Sequence, residues 1–172
     1  EDWDPAGRRF DTVVAAQSWH WIDAAAGARR AAGALRPGGR LAVFWNVATP
    51  EPALAEAFAE VYRAAVPDDP IFGRGAAARP DSGYAAFSAR AAEGMRASGA
   101  FAESERWQFG WERTYTRDEW LDVVPTTGGH SLFSPAELEQ VLTGIGAAVD
   151  AAGGAFTVRY TAEACTAAVL PG

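Results

Sequence analysis

Two short apolar runs flank a helical stretch near the start of this chain, and they constrain its fold more than any other feature. The first is Phe10-Asp11-Thr12-Val13-Val14-Ala15-Ala16-Gln17, with a polar entry. The second is Arg40-Leu41-Ala42-Val43-Phe44-Trp45. Runs of this kind suit strands buried on both faces, as in a parallel sheet. Between them Asp23 can cap a helix from Ala24 to Arg36. Pro37-Gly38-Gly39 stops that helix, with Pro and then Gly in the middle of a type II turn, where Gly tolerates positive φ. Strand, helix, tight turn and strand make a βαβ unit, which points to the α/β class.

Further on, Thr49-Pro50 opens a helix with Leu54, Phe58, Val61 and Ala65 at helical spacing. Residues Pro67 to Pro80 hold three prolines and two glycines without an apolar period, and read as a long loop or lid. A helix from Asp81 to Ser98 follows, stopped by Gly99, with Tyr84, Phe87, Ala91 and Met95 as its stripe. Trp107, Phe109 and Trp111 alternate with polar residues, as in a strand, and Trp107, Trp111 and Trp120 read mostly as core. Two capping boxes come next. Thr116 with Glu119 starts a short helix carrying Trp120, Leu121 and Val124; Ser134 with Glu137 starts a longer one, ended by Gly153-Gly154. Phe156, Val158 and Tyr160 alternate in a last strand running to Val169.

Composition narrows the class of partner. The 172 residues fit one domain, and 49% hydrophobic residues can fill a core. A formal charge of -7 argues against nucleic acid or an anionic membrane surface, since both need a basic patch. The single cysteine, Cys165, excludes an intrachain disulfide and suits a reducing, cytoplasmic setting. With two histidines and one cysteine, no zinc or other metal site is expected. No apolar run approaches bilayer-spanning length.

Phe10-Asp11-Thr12-Val13-Val14, Gln17-Ser18-Trp19-His20-Trp21 and Leu35-Arg36-Pro37-Gly38-Gly39-Arg40-Leu41 together resemble the type 11 group of class I S-adenosylmethionine-dependent methyltransferases. The resemblance continues through Phe44-Trp45-Asn46, through Trp111 to Thr116 with Glu119-Trp120-Leu121, and through Gly153 to Tyr160. It implies a Rossmann-like sheet of which the chain supplies strands four to seven, with a helical insert before the last strand and an antiparallel seventh strand. On this reading residues 1–172 form a partial methyltransferase domain, and 50–100 and 114–153 are helical acceptor-side elements. The family's glycine-rich cofactor loop has no counterpart: Gly73-Arg74-Gly75 follows no strand, and Gly38-Gly39 precedes a strand instead of a helix. The first three strands are expected upstream of Glu1. Without them the fourth strand becomes a bare sheet edge, a template for self-association.

Candidate residues follow from that placement. Gln17, Ser18, Trp19 and His20 follow the carboxyl end of the first strand, where open α/β sheets bind ligands, and the resemblance places cofactor contacts there. Trp19 and Trp21 read more readily as core packing, and the plainer reading of His20 is a cap on local backbone. Glu1, Asp2 and Trp3 stand where the family's third strand ends near the adenine, or form a solvated terminus. Trp45 and Asn46, with Tyr115, Trp120 and His130, are candidates for the acceptor pocket. His130 has a pKa suited to a general base; the plainer reading is a solvated loop histidine.

The implied reaction is methyl transfer from S-adenosylmethionine to a small-molecule acceptor. Two alternatives remain open at this point: a non-catalytic methyltransferase-like binding or interaction module, and, more remotely, an α/β hydrolase, against which the missing Gly-x-Ser-x-Gly elbow speaks.

Overall fold

A computed structural model of the chain describes residues 3–73 and 82–171. In chain order these form β1 (Phe10–Ala16), a short 3-10 helix (Trp19–Trp21), α1 (Ala24–Ala34), β2 (Leu35–Thr49), α2 (Pro52–Ala65), α3 (Ser82–Ser98), β3 (Glu105–Thr116), α4 (Arg117–Val123), α5 (Pro135–Ala151) and β4 (Ala155–Ala168). Short 3-10 helices also occupy Val124–Thr126 and His130–Leu132. One four-stranded sheet has the order β1-β2-β4-β3. β1 and β2 pair in parallel. β4 runs against β2, since Thr166 Oγ1 donates to the Leu41 carbonyl while the later Val169 N–H donates to the earlier Gly39. The fold is thus an α/β sheet whose last strand is inserted and reversed, with α4 and α5 between β3 and β4.

The βαβ unit forms for local reasons. Asp23 caps α1, its carboxylate accepting from the Ala26 N–H at 2.7 Å. α1 stops at Ala34, two residues before the expected Arg36, because Leu35 already has extended backbone. The Pro-Gly-Gly segment then makes an excursion within β2: Phe10 faces Leu35, but Thr12 faces Arg40. Gly38 sits at φ +75, which the turn requires.

Packing divides the chain into two compact units, Glu1–Val47 with Asp81–Gly110 and Thr161–Gly172, and Ala48–Pro80 with Trp111–Tyr160. In the first unit Leu41, Val43 and Trp45 of β2 alternate into a core shared with Ala28 and Ala31 of α1, Ala91 and Met95 of α3, and Cys165 of β4. α1 and α3 approach closely because small residues face each other. A Cβ on Gly94 would lie 2.6 Å from Ala24. In the second unit α2 packs on α5 through Leu54, Phe58, Val141, Ile145 and Val149. Both capping boxes are formed, at Thr116 with Glu119 and at Ser134 with Glu137.

Several expectations need correction. Within the stretch 50–100, α2 belongs to the second unit and α3 to the first, where it packs on α1. β1 is not buried on both faces. Val13 and Ala15 pack against the first unit's core, whereas Val14 is 63% exposed. Among the described residues β1 is an edge strand, and no layer covers its second face. β3 is the other edge, so Trp107 and Trp111 are exposed rather than core, as is Phe109 between them. Only Tyr115 of β3 is buried. Half of the expected lid, residues 74–80, lies outside the described residues; before it, the Asp69 carboxylate accepts from the N–H groups of Ile71 and Phe72.

Candidate functional site

In the first unit, β1 ends in a backbone conformation that its side chain does not favour. Gln17 has φ +52, in the left-handed region. Two contacts with β2 hold it there: its N–H donates to the Phe44 carbonyl at 2.9 Å, and its side-chain amide to the Asn46 carbonyl at 3.4 Å. The reversal turns the chain off the sheet into the 3-10 helix. Ser18 precedes that helix, exposed, with no capping bond from its hydroxyl.

The next three residues divide between core and surface. Trp19 is buried in the first unit's core, and its indole N–H has no partner among the described residues. Trp21 is 74% exposed, so only one of the two tryptophans is core packing. His20 is half-buried, its ring stacked on Phe87 with centroids 4.5 Å apart and planes 11° apart. The His20 Nδ1 accepts from the Trp45 Nε1–H at 3.1 Å. Burial, and secondarily the nearby Arg90 charge, lower the His20 pKa and keep the ring neutral.

Of the candidates for the acceptor pocket, Trp45 is 0% exposed and belongs to the core, and Asn46 is half-buried beside Gln17. Tyr115, Trp120 and His130 belong to the second unit. Tyr115 is buried, with its hydroxyl 2.8 Å from that of Tyr160. Trp120 packs edge-on against Tyr115 and Phe156 and stacks on Phe58, as part of that unit's core.

His130 is not a solvated loop residue. It is 3% exposed, boxed by Tyr62, Phe72 and Phe133. Its Nε2 lies 2.8 Å from the Tyr62 hydroxyl, and its Nδ1 lies 2.9 Å from Thr127 Oγ1. Both ring nitrogens are therefore engaged, and burial lowers the pKa. A free general base does not look like this.

Trp3 is exposed and packs on Phe10; Glu1 and Asp2 lie outside the described residues. Sequence reasoning missed Phe87, Arg90, Tyr62 and Phe72 as partners of the two histidines. Arg90 lies three residues beyond Phe87 on α3, so helical spacing alone puts both on one face.

Among the described residues no group of three or more His, Cys, Asp or Glu side chains is arranged to hold a metal ion. None of their helices is long and apolar enough to cross a membrane.

Comparison with known proteins decides the fold. A structure from Anaeromyxobacter dehalogenans, described as a candidate type II methyltransferase, overlays on 95% of this chain with a TM-score of 0.59 and 19% identity. The fold is the mixed α/β, Rossmann-like fold of that structure. The α/β hydrolase alternative falls away with that. The chain spans 66% of that structure's length. Uncharacterized methyltransferases of Mycobacterium bovis and Mycobacterium tuberculosis are 53% identical over 36 residues, which is 21% of this chain and 15% of theirs. No family model matches the chain, so the narrower type 11 likeness stays a resemblance.

Proposed function

We propose that this chain serves S-adenosylmethionine-dependent methyl transfer to a small-molecule acceptor, and that the carboxyl end of β1 forms part of the cofactor side. The observation that carries the reading is the left-handed Gln17 at that end, followed by exposed polar groups, in a chain with a methyltransferase fold. Strained backbone at the carboxyl end of a parallel strand is where open α/β sheets place ligands.

The residues there fit part of such a group. Gln17 offers an amide, Ser18 a hydroxyl without a capping bond, His20 a ring nitrogen and Trp21 an exposed indole. When bound, the cofactor supplies an electrophilic methyl on a sulfonium. The chain's own part is to bind, orient and exclude water, which suffices when the leaving group is already good. His130 has no place as a base in this scheme, because both its nitrogens are occupied. Trp45 serves by holding His20. The acceptor wall on this unit falls to Asn46, whereas Tyr115 and Trp120 pack within the core of the second unit.

Calorimetric titration of S-adenosylhomocysteine into the protein tests the reading. Gln17→Ala is expected to weaken that binding about tenfold, as loss of one good hydrogen bond implies. Heat-silent titration, confirmed by unchanged thermal stability at saturating ligand, would move the assignment to a non-catalytic methyltransferase-like module.

Mass in solution, measured alongside, tests a second proposal. The open β1 edge, with Val14 exposed beside it, is expected to pair two copies. A monomer at all concentrations that unfolds cooperatively would end that idea.

A further inference from the structure

We infer that His20 is a fixed hydrogen-bond donor, and that its Nε2–H and the Arg90 guanidinium together receive a carboxylate on the bound ligand. The inference rests on the reading that ligands bind at the carboxyl end of β1.

A neutral imidazole has one N–H and one lone pair, and the partner of one nitrogen fixes the state of the other. Trp45 settles it here. An indole N–H can only donate, and a fully buried one needs an acceptor. The His20 Nδ1 accepts from it at 3.1 Å, so Nδ1 carries no proton while that bond stands. The single ring proton is on Nε2. Trp45 is locked in the core, and Phe87 stacks flat on the imidazole, so the direction of the Nε2–H is set before any ligand arrives. No described residue accepts from Nε2.

Acting as a base would require moving the proton to Nδ1 and breaking the Trp45 bond. His20 therefore presents a donor, and the ligand must present an acceptor.

Arg90 supplies the sign of that acceptor. The groups facing His20 are Trp21 on its own turn, Trp45 from β2, and Phe87 and Arg90 from α3. Arg90 is the one charged group among them. It is exposed, it donates to the Ile22 carbonyl at 3.3 Å, and no ion pair among the described residues involves it. A guanidinium has five N–H donors, so most remain for a ligand. One cation and one neutral donor match the single charge and two oxygens of a carboxylate. The exposed Trp21 ring, 4.7 Å from His20, adds a flat apolar face for the group that bears it.

The carboxylate can belong to the methionyl part of the cofactor or to the methyl acceptor. Both use the same receptor chemistry, and competition separates them.

The test uses ¹⁵N-labelled protein with benzoate as probe and benzamide as its neutral control. Long-range imidazole correlations at neutral pH are expected to show a protonated Nε2 and an unprotonated Nδ1. Benzoate is expected to shift the His20 Nε2 and Arg90 Nε signals, and benzamide to leave them in place. Arg90→Gln and His20→Phe are each expected to weaken benzoate roughly tenfold, the loss of one charge-assisted hydrogen bond. His20→Gln, which keeps an N–H near the Nε2 position, is expected to restore part of it. An unchanged amide spectrum away from the site confirms that each variant is folded.

Displacement of benzoate by S-adenosylhomocysteine assigns the carboxylate to the cofactor, and simultaneous binding assigns it to the acceptor. Benzoate shifts without any S-adenosylhomocysteine binding would sink the cofactor reading and leave the receptor standing. A proton on Nδ1, equal response to benzoate and benzamide, or no response to benzoate in a protein that binds S-adenosylhomocysteine would each overturn this inference alone.

Discussion

Trp45→Ala is expected to destabilise the protein by about 3–5 kcal/mol, the usual range for removing a large buried aromatic. Trp45 is the largest fully buried side chain in the first unit, set between Val43 and Val47 on the inward face of β2. Its ring touches the Phe87 ring from α3, with centroids 5.9 Å apart, and its N–H ends on His20. The truncation removes apolar contact and opens a cavity that β2 is poorly placed to close, since the strand is paired on both sides. Urea unfolding, followed by far-UV circular dichroism, reads the change as a fall in midpoint at constant slope. Trp45→Phe is expected to lose less, because the ring volume largely remains and water can reach the half-buried His20 nitrogen. A Trp45→Ala loss below about 1 kcal/mol would mean that the ring does not fill the core at all.

The βαβ unit was legible because its signals are local. Asp23, the apolar runs of both strands and Pro37-Gly38 each act within a few residues, and the fold has a capped helix, two paired strands and a turn with positive φ at Gly38 in those places. The two capping boxes, and Gly99 with its φ of +68, belong with them. What could not be read was which layer covers a strand. Alternation in β3 marks Trp107, Phe109 and Trp111 as one face, but the pattern is the same whether that face is covered or open. β1 has the same ambiguity: its apolar run says buried on both faces, yet its place at the sheet edge leaves Val14 in solvent. Strand order decides both cases, and order depends on pairings far apart in sequence.

The candidate site was legible to the same depth. Its position followed from the end of β1, but its chemistry depends on partners that sequence does not place side by side. Trp45 reaches His20 only because β1 and β2 pair in parallel and bring their carboxyl ends together. Phe87 and Arg90 arrive from α3, which packs on α1. His130 stands in a Gly- and Thr-rich stretch that looks like a solvated loop. Tyr62 from α2 and Phe72 from the following turn bury it, and neither contact has a local signal.

That burial makes stability depend on pH. The Thr127 hydroxyl donates to the Val124 carbonyl, so its oxygen is free to accept from His130 Nδ1–H, as the Thr127 carbonyl also does at 3.2 Å. The proton of neutral His130 therefore sits on Nδ1, and Nε2 accepts from the Tyr62 hydroxyl. Protonating Nε2 would force that hydroxyl to turn its hydrogen away, into a box walled by Phe72 and Phe133. Burial accordingly holds the His130 pKa below its ordinary value of 6.5, with the Thr127 carbonyl and the Asp69 charge opposing in part. Above pH 6.5 folded and unfolded chains both carry neutral imidazole, and the group contributes nothing to pH dependence. As pH falls through 6.5 the unfolded chain takes up the proton first, so stability is lost until the folded pKa is reached. His20, also lowered, adds loss of the same sign. The slope from one such histidine is at most about 1.4 kcal/mol per pH unit. His130→Phe keeps an aromatic ring in the box but leaves the Tyr62 hydroxyl without its acceptor, a loss of about 1–3 kcal/mol at pH 7.5. The same variant is expected to shrink the difference in stability between pH 7.5 and pH 5.5, measured by urea unfolding, while His20→Phe removes only its own share. If His130→Phe left that difference unchanged, the buried imidazole would have to be protonating freely inside the fold, and the hydrogen-bond assignment to Tyr62 would fail with it.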